Sequence, residues 1–380
     1  MGNKEKNGLL IFLLVFLLLP LLQKNLPFVD YGGLNGNFKA ANDSEFTLRQ
    51  WFNRSYWDNE SQYINDNMGF RPDLIRLNNQ IDYSLFDKIH SAWKLMGENS
   101  CIFQDTYIYA YLGQDFQGYS YLLEKVRKLK AIQDTLAKVG KSLILVDAPS
   151  KASYYPENFP SEFKDVQRGA TNAATYNRIC DSLGLNLVDL DTWLVSLKNK
   201  STELLYPKQG FHWSEYAALL GADTLTRYIE KLRNIKMIHA RWTKIVHTSK
   251  PRLNDNDIAR SMNLMFPLAN ELFSYPDVTY PQDKSAVKPK TIYVGDSFLF
   301  QWIDDGIMDH TNSNWQIWYY NMNVINNEFN RQTDHMLQDD FRFEQIDNAD
   351  CIVIMFTAPN LRDLGRGFIE QTYDHFYPGK

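Results

Sequence analysis

Residues 120–149, SYLLEKVRKLKAIQDTLAKVGKSLILVDAP, join a helical pattern to a strand pattern and indicate the fold class. From Leu122 to Val139 the apolar residues step by three or four, which is the period of an amphipathic helix, and Gly140 stands where a helix cap is expected. The run 142–149 is short and apolar and is bounded by Gly and Pro, as in a buried parallel strand. A helix that leads directly into such a strand is the repeating unit of an α/β protein.

The same alternation continues along the chain. Helical spacing predicts further helices over 72–86, 170–183 and 214–232, and short apolar runs predict strands over 185–191, 291–297, 315–321 and 351–357. Residues 236–289 contain five prolines and predict a long excursion over the surface. We therefore predict a doubly wound, mostly parallel α/β sheet with right-handed crossovers, in which ligands bind at the carboxyl ends of the strands.

Composition excludes several classes of function. The chain has 380 residues and 44% hydrophobic content, which is enough for a full core, and its net charge of -5 with scattered Lys and Arg offers no basic face for nucleic acid. The three cysteines, Cys101, Cys180 and Cys351, lie far apart and show no metal-ligand spacing. We predict no metal site, no cofactor and no nucleic-acid partner.

The N-terminus carries a membrane-targeting segment. The run from Gly8 to Gln23 is almost uninterrupted apolar sequence, although it is shorter than the roughly 20 residues of a full span. The segment is therefore a retained signal-anchor or a cleaved signal peptide. We favour the signal-anchor because no A-x-A cleavage site follows closely. Lys4 and Lys6 before the run and Lys24 after it orient the segment with its N-terminus inside.

These patterns predict three parts of the chain. Residues 1–28 form the signal-anchor, residues 29–60 are polar and form a linker, and residues 61–380 form the catalytic domain. Everything after about residue 30 would lie outside the cytoplasm.

Ser297 follows a predicted strand in the tetrapeptide Gly295-Asp296-Ser297-Phe298. A serine hydroxyl at the mouth of the sheet is suited to acyl transfer, and Gly295 would let the backbone approach a substrate and leave amide donors for a developing oxyanion. Ser297 is therefore the candidate nucleophile. The alternative is an ordinary strand-to-loop turn.

His212 stands immediately before the helix predicted over 214–232. Its imidazole can accept the proton of a serine at neutral pH, so His212 is the candidate general base. The alternative is a histidine that caps the helix or packs on Trp213.

Several blocks, taken together, resemble a known family. They are residues 67–71 (NMGFR) followed by LIRLNNQIDYSLF, residues 148–151 (APSK), residues 155–157 (YPE), residues 212–214 (HWS) and residues 295–298 (GDSF). In content and order they resemble the SGNH hydrolase-like domain of the alginate O-acetyltransferase proteins of the AlgJ and AlgX type. In that family the histidine block precedes the serine block, an order that is permuted relative to ordinary SGNH esterases.

The resemblance implies a fold, an activity and partners. The fold would be an SGNH-hydrolase-like α/β domain, and Ser297 would carry an acetyl group as a covalent ester, with His212 acting as base and then as acid. The acceptor would be a hydroxyl of an exported or cell-surface polysaccharide. The acetyl donor would be supplied by a multi-pass membrane acyltransferase, and the chain would be a bacterial inner-membrane protein with a periplasmic catalytic domain.

One position departs from the family pattern. Active members carry Asp two residues before the histidine, whereas this chain has Gly210. Such an aspartate fixes the imidazole tautomer and stabilises the imidazolium, so another carboxylate would have to replace it. The candidates for a third member are Asp296, Asp255 and Asp257. The last two are also interpreted as helix-capping residues, and a dyad without a third member remains open.

Two further residues follow strands at the same edge of the sheet. Lys151 is a candidate for contact with an anionic sugar or an acyl oxyanion, and its alternative is a solvated loop lysine. Asn321 is a candidate oxyanion donor, and its alternative is a turn asparagine.

The sequence thus leaves competing functions. The first is an O-acetyltransferase or the allied acetylesterase, and the second is a weak or inactive glycan-binding scaffold of an export or modification complex, for which Gly210 is the main support. A lipase is less favoured because no apolar lid is evident.

Overall fold

In the computed structural model, the described residues are 2–29, 32–36, 39–90, 93–252, 254–268, 271–326 and 337–379. They belong to two units. The first comprises Met1–Ala92 and Ile258–Leu268, and the second comprises Trp93–Asp257 and Ala269–Lys380. The boundaries predicted at residues 28 and 60 mark changes in composition, and they remain a prediction.

The first unit is helical. Its helices are α1 (Asn3–Asn25), α2 (Leu48–Trp51), α3 (Arg54–Asp66) and α4 (Arg71–Phe86). Among the described residues, α1 alone is long and apolar enough to cross a membrane, a test that a signal sequence would also pass. Most of its leucines and both of its phenylalanines are exposed, and Leu19 is half-buried.

A six-stranded sheet forms the centre of the second unit. The strands of this unit are β1 (Lys94–Met96), β2 (Ile102–Gln104), β3 (Ser142–Ala148), β4 (Leu187–Asp189), β5 (Arg241–Thr248), β6 (Phe273–Thr279), β7 (Lys290–Gly295), β8 (Asn314–Tyr319), β9 (Asn323–Ile325) and β10 (Cys351–Thr357). The sheet has the order β4-β3-β10-β7-β8-β9, and all pairs are parallel except β8 with β9. Separate antiparallel pairs are formed by β1 with β2 and by β5 with β6.

Helices cover both faces of this sheet. The helices of the second unit are α5 (Asp105–Leu112), α6 (Tyr119–Lys138), α7 (Lys151–Tyr154), α8 (Ser161–Lys164), α9 (Asn172–Leu183), α10 (Leu190–Leu197), α11 (Glu215–Arg233), α13 (Phe300–Asp304), α14 (Ile307–Thr311), α15 (Asp339–Asn348) and α16 (Phe368–Phe376). A further short helix, α12 (Asp257–Ser261), belongs to the first unit from Ile258 onward. One core contains side chains of α6, α9, α15 and α16, and the other contains side chains of α10, α11, α13 and α14. The predicted doubly wound α/β fold is confirmed.

The central strands are apolar throughout because both of their faces are covered. All seven residues of β10 are buried, and alternate residues enter the two cores, with Val353 in one and Ile354 in the other. The parallel strands β3, β10 and β7 place their carboxyl ends at one edge of the sheet. The loops at this edge carry the candidate site.

Most of the helices and strands predicted from the sequence are present in the structure. The helices predicted over 72–86, 120–139, 170–183 and 214–232 are confirmed as α4, α6, α9 and α11. Three predictions need correction. The predicted strand 185–191 is limited to β4, because Leu190 begins α10. The predicted linker, residues 29–60, contains α2 and the first residues of α3. The excursion 236–289 contains β5 and β6, which the sequence conceals because Pro276 lies inside β6.

Candidate functional site

Ser297 begins a short 3-10 helix directly after β7. The strand ends at Gly295, where a Cβ atom would lie 2.3 Å from the carbonyl oxygen of Met355 on the neighbouring strand. Glycine is therefore required for close packing of β7 on β10. Ser297 itself is partly exposed and lines a cavity at this edge of the sheet.

Asp296 fixes the turn that presents the serine. Its carboxylate accepts hydrogen bonds from the N–H of Phe298 at 3.2 Å, from the N–H and the hydroxyl of Thr357 at 2.8 Å each, and from the Asn360 side-chain amide at 2.9 Å. Both oxygens of this buried group are thus engaged by the turn and by the loop after β10. Asp296 joins two loops of the site, and it does not contact the histidine.

His212 lies within hydrogen-bond reach of Ser297. Its Nε2 atom is 2.9 Å from the Ser297 Oγ atom, a distance suited to proton transfer. The imidazole packs against Phe298 with ring centroids 4.8 Å apart, and it is largely buried. Ser214 caps α11 by accepting a hydrogen bond from the N–H of Ala217 at 3.1 Å, which fixes the chain immediately after the histidine.

Asp257 contacts the other nitrogen of the imidazole. Its Oδ2 atom is 3.2 Å from Nδ1 of His212, and its Oδ1 atom accepts a hydrogen bond of 2.7 Å from the N–H of Phe211. Because a carboxylate only accepts, this contact assigns the proton to Nδ1 and leaves Nε2 free to accept the Ser297 hydroxyl. The order carboxylate, imidazole, hydroxyl is the geometry of a catalytic triad.

Gly210 explains why this carboxylate comes from a distant segment. A Cβ atom at Gly210 would lie 2.4 Å from the backbone oxygen of Asp255. The segment that carries Asp257 therefore packs directly on the backbone of residue 210, where an aspartate side chain would have no room. The absence of a side chain at position 210 and the approach of Asp257 are two aspects of one packing arrangement.

Of the three carboxylates considered from the sequence, only Asp257 contacts His212 in the described hydrogen bonds. Asp255 is buried and accepts the hydroxyl hydrogen of Tyr275. Burial raises the pKa of Asp255 to about 7. Asp296 is engaged by the serine turn, as described above. The catalytic role of Asp257 remains a proposal that this geometry favours.

The expectation for Lys151 is corrected. Its side chain is buried, and its ammonium donates hydrogen bonds of 2.6 Å to the backbone oxygens of Lys208 and Gly210. Burial lowers the pKa of Lys151. The residue is neither a solvated lysine nor a lining residue of the cavity, and it holds the loop that precedes His212.

The expectations for Asn321 and Gly295 as oxyanion or substrate groups are also corrected. The side-chain nitrogen of Asn321 donates to the backbone oxygen of Arg366 at 2.9 Å and to Gln371 at 3.0 Å, so both of its hydrogens are engaged. Its side-chain oxygen accepts a hydrogen bond from Arg342. Neither Asn321 nor Gly295 lines the cavity beside Ser297.

The cavity beside Ser297 has a volume of about 240 Å³. Its lining residues are Gln104, Thr106, Tyr107, Phe211, Asp296, Ser297, Tyr320, Thr357, Pro359, Asn360, Arg362 and Arg366. Arg366 donates a hydrogen bond of 3.0 Å to the Asn360 side-chain oxygen, and its guanidinium lies 5.2 Å from the Tyr320 ring. Arg362 and Arg366 are the cationic side chains of this lining, and Asp296 is its acidic side chain. Arg366 also lies 3.9 Å from Asp363.

Sequence reasoning missed most of this lining. The end of β10 supplies Thr357, and the loop after it supplies Asn360, Arg362 and Arg366. A signal for these residues existed, because they follow the carboxyl end of a predicted strand. Tyr107 had no such signal, since it lies on α5, which the sequence patterns did not reveal.

A family comparison supports what the geometry indicates. The family described as "SGNH hydrolase-like domain, acetyltransferase AlgX" matches residues 97–296, which is just over half of the chain. The chain belongs to this family. The match includes His212 and ends one residue before Ser297. The resemblance seen in the sequence blocks is therefore confirmed for the AlgX-type family.

Solved structures are similar at low identity. The O-acetyltransferase domain of Pseudomonas putida AlgJ is 13% identical, with a TM-score of 0.48 over 74% of this chain and 99% of that chain. Pseudomonas aeruginosa AlgX is 13% identical, with a TM-score of 0.44 over 74% and 71%. Bacillus cereus PatB1 is 12% identical, with a TM-score of 0.43 over 70% and 96%. In a comparison with curated proteins, no sequence matches this chain.

Proposed function

We propose that this member of the AlgX-type family is a serine-dependent O-acetyltransferase, or the allied acetylesterase, that acts on an exported or cell-surface polysaccharide. The observation that carries the proposal is the continuous contact from Asp257 through His212 to Ser297, which lines a cavity of about 240 Å³. Gly210 was the main support for an inactive scaffold, and the contact of Asp257 with Nδ1 of His212 supports the enzyme instead.

The proposed reaction has two steps. In the first, the Ser297 Oγ atom attacks the acetyl carbonyl carbon of the donor while Nε2 of His212 accepts the hydroxyl proton. Asp257 stabilises the imidazolium through the Nδ1 hydrogen bond, and the imidazolium then protonates the leaving group. In the second, a sugar hydroxyl attacks the acetyl ester on Ser297 and gives its proton to His212. The imidazolium then passes a proton to the departing Ser297 oxygen, so the free serine is restored. Water in place of the sugar gives hydrolysis.

The two arginines at the cavity favour a glycan with negatively charged groups. Arg362 is exposed at the opening and is free of the Asn360 contact that engages Arg366. Guanidinium groups bind carboxylates through paired hydrogen bonds. We propose that the acceptor is an acidic polysaccharide.

The proposed setting is the bacterial inner membrane, with α1 as a single-pass anchor and the second unit on the periplasmic side. The support is the apolar α1 and the sequence resemblance. An acetyl donor outside the cytoplasm requires a source, and we propose a multi-pass membrane acyltransferase as the partner that supplies it.

The test uses the full chain in detergent with a chromogenic acetyl ester and, separately, with neutral and acidic oligosaccharide acceptors. We expect ester cleavage, an acetylated Ser297 peptide in mass spectra, and acetylated oligosaccharide when an acceptor is present. Ser297→Ala should remove all three signals, whereas Ser313→Ala, at an exposed serine outside the cavity, should retain them. Activity that persists in Ser297→Ala, or its absence from the wild type, would leave the scaffold as the better function.

A further inference from the structure

The first unit carries an exposed group of aromatic side chains, which we call the aromatic cluster. Its members are Phe46, Trp51, Phe52, Tyr56 and Trp57, at and just before α2 and α3. The rings of Trp51 and Trp57 meet edge to face at 4.4 Å, and Phe46 contacts Trp51 at 5.7 Å. None of the residues of α2 or α3 is buried, and the Phe52 side chain is 88% exposed. The rings of Phe46, Trp51, Tyr56 and Trp57 therefore pack on one another, and with the exposed Phe52 they leave a large apolar surface uncovered.

This cluster lies near the end of α1 within the same unit. A Cβ atom at Gly69 would lie 2.1 Å from the carbonyl oxygen of Pro20, so the chain before α4 packs tightly on the last turns of α1. The Lys24 ammonium lies 5.2 Å from the ring of Tyr63 on α3. Trp57 precedes Tyr63 by six residues on this helix, a distance of about 9 Å along its axis.

The apolar run of α1 is short for a bilayer. Residues 8–22 span about 22 Å as a helix, whereas the hydrocarbon core of a bilayer is about 30 Å thick. A short span makes the bilayer thin locally or draws flanking side chains into it. Trp and Tyr rings are the side chains that prefer the boundary between lipid and water.

The charge near the cluster identifies the kind of binding. Residues 43–66 contain five acidic and two basic side chains, so anionic lipid headgroups would not attract this segment. Apolar insertion of the rings is the remaining driving force. We propose that the aromatic cluster is a membrane-interface surface, occupied by the lipid–water boundary of the bilayer that α1 crosses. This inference is independent of the chemistry at Ser297.

The experiment places an environment-sensitive fluorophore on the cluster in the full chain. Phe52→Cys is labelled and reconstituted at one chain per phosphatidylcholine nanodisc, and Val139→Cys, 66% exposed in the second unit, is the matched control. The native cysteines Cys101, Cys180 and Cys351 are buried. We expect a blue-shifted emission at position 52 and several-fold stronger quenching by lipid-borne spin labels than at position 139. Anionic lipid added to the nanodisc should leave the ratio of lipid quenching at position 52 to that at position 139 unchanged.

A pair of variants tests whether the rings cause the insertion. Trp51→Gln with Trp57→Gln should reduce the lipid quenching at position 52 several-fold, whereas Trp93→Gln, at an exposed tryptophan outside the cluster, should leave it unchanged. Water-like emission at position 52, or equal quenching at both labelled positions, would overturn the proposal. A blue shift without lipid quenching would mean that protein covers the cluster, and quenching that rises several-fold with anionic lipid would mean that charge drives the contact. Either result also overturns it.

Discussion

The carboxylate that contacts His212 comes from a part of the chain far from the histidine. Asp257 lies 45 residues after the histidine, on a segment that packs on the backbone of Gly210. A triad depends on the positions of atoms, and it does not depend on sequence order. Residue identity at one motif position therefore says little about activity until the surrounding packing is known.

Replacing Asp257 tests its proposed role directly. In Asp257→Asn the imidazole loses its charged partner, and an amide can favour the wrong tautomer by donating to Nδ1, so we expect kcat for ester cleavage to fall by about 10²- to 10⁴-fold. KM should change little, because Asp257 does not line the cavity. The control is Asp277→Asn, an exposed aspartate of β6. An unchanged kcat in Asp257→Asn would show that Ser297 and His212 act as a dyad.

Restoring the family motif should be harmful in this chain. Gly210→Asp would place a side chain where Asp255 already lies, so we expect a loss of about 1–3 kcal/mol of stability and no rescue when it is combined with Asp257→Asn. Chemical denaturation and the ester assay measure both. Gly169→Ala is the control, since its nearest neighbouring atom would be 3.5 Å away. Rescue by Gly210→Asp would contradict the steric account.

The arginine at the cavity opening allows a test of acceptor charge. In Arg362→Gln we expect KM for an acidic oligosaccharide to rise by about tenfold, while cleavage of a small neutral acetyl ester stays unchanged. The control is Arg241→Gln, at an exposed arginine of β5. Equal effects on both substrates would show that Arg362 supports the fold of the loop and does not bind the acceptor.

At the scale of elements, the loop before His212 is held by two charged groups, the buried Lys151 and the half-buried Glu271. Lys151 donates to the oxygens of Lys208 and Gly210, and Glu271 accepts the N–H groups of Lys208 at 2.8 Å and Gln209 at 3.1 Å. Hydrogen bonds to charged groups are stronger than neutral ones. The loop is therefore fixed from two sides, and the imidazole is pre-positioned for Ser297.

Asp255, two residues before Asp257, makes the stability of the protein depend on pH. Burial raises the pKa of Asp255 to about 7, from an ordinary value of 3.8. Between about pH 4 and about pH 7 the carboxyl of Asp255 keeps its proton in the folded state but has lost it in the unfolded state. The free energy of unfolding therefore falls as pH rises from about 4 to about 7. Burial also raises the pKa of Glu215 to about 7, and this group adds to the same trend.

The pH trend is measured by urea denaturation across that window. We expect Asp255→Asn to remove about 1–2 kcal/mol of the decrease in the free energy of unfolding, because a neutral amide still accepts the Tyr275 hydroxyl and does not ionise. Asp277→Asn, at an exposed site, should leave the wild-type slope. An identical slope in Asp255→Asn would show that this carboxyl does not hold the additional proton.

At the scale of the whole molecule, we propose that α1 anchors the chain in the membrane. One charge in the apolar run should suffice to test this: Leu14→Asp places a carboxylate near the middle of α1, at a cost of about 2.5–3.5 kcal/mol for insertion. We expect a several-fold loss from the membrane fraction, with an unchanged thermal unfolding transition for the second unit. Val139→Asp, at an exposed apolar position outside α1, should change neither measurement. Retention of Leu14→Asp in the membrane would show that α1 is not needed as the anchor.

The alternation of helix and strand patterns predicted most of the second unit. The period of three or four in α6 and the apolar runs of β3, β7 and β10 are local signals that arise because these segments bury one stripe or two faces. Patterns failed where burial is slight, as in β5, or where proline interrupts a strand, as in β6. Ser297 and His212 were found because each stands beside a strongly patterned element.

The sequence by itself determined the sheet, the order of its motifs and two side chains able to exchange a proton. The choice of Asp257 over Asp255 and Asp296, and the use of Lys151 and Asn321 as internal supports, depended on tertiary structure. The physical reason is that periodicity reports only which side of an element is buried. Which hydrogen-bond partners meet there depends on loops brought together from distant parts of the chain, and no local pattern encodes those distances.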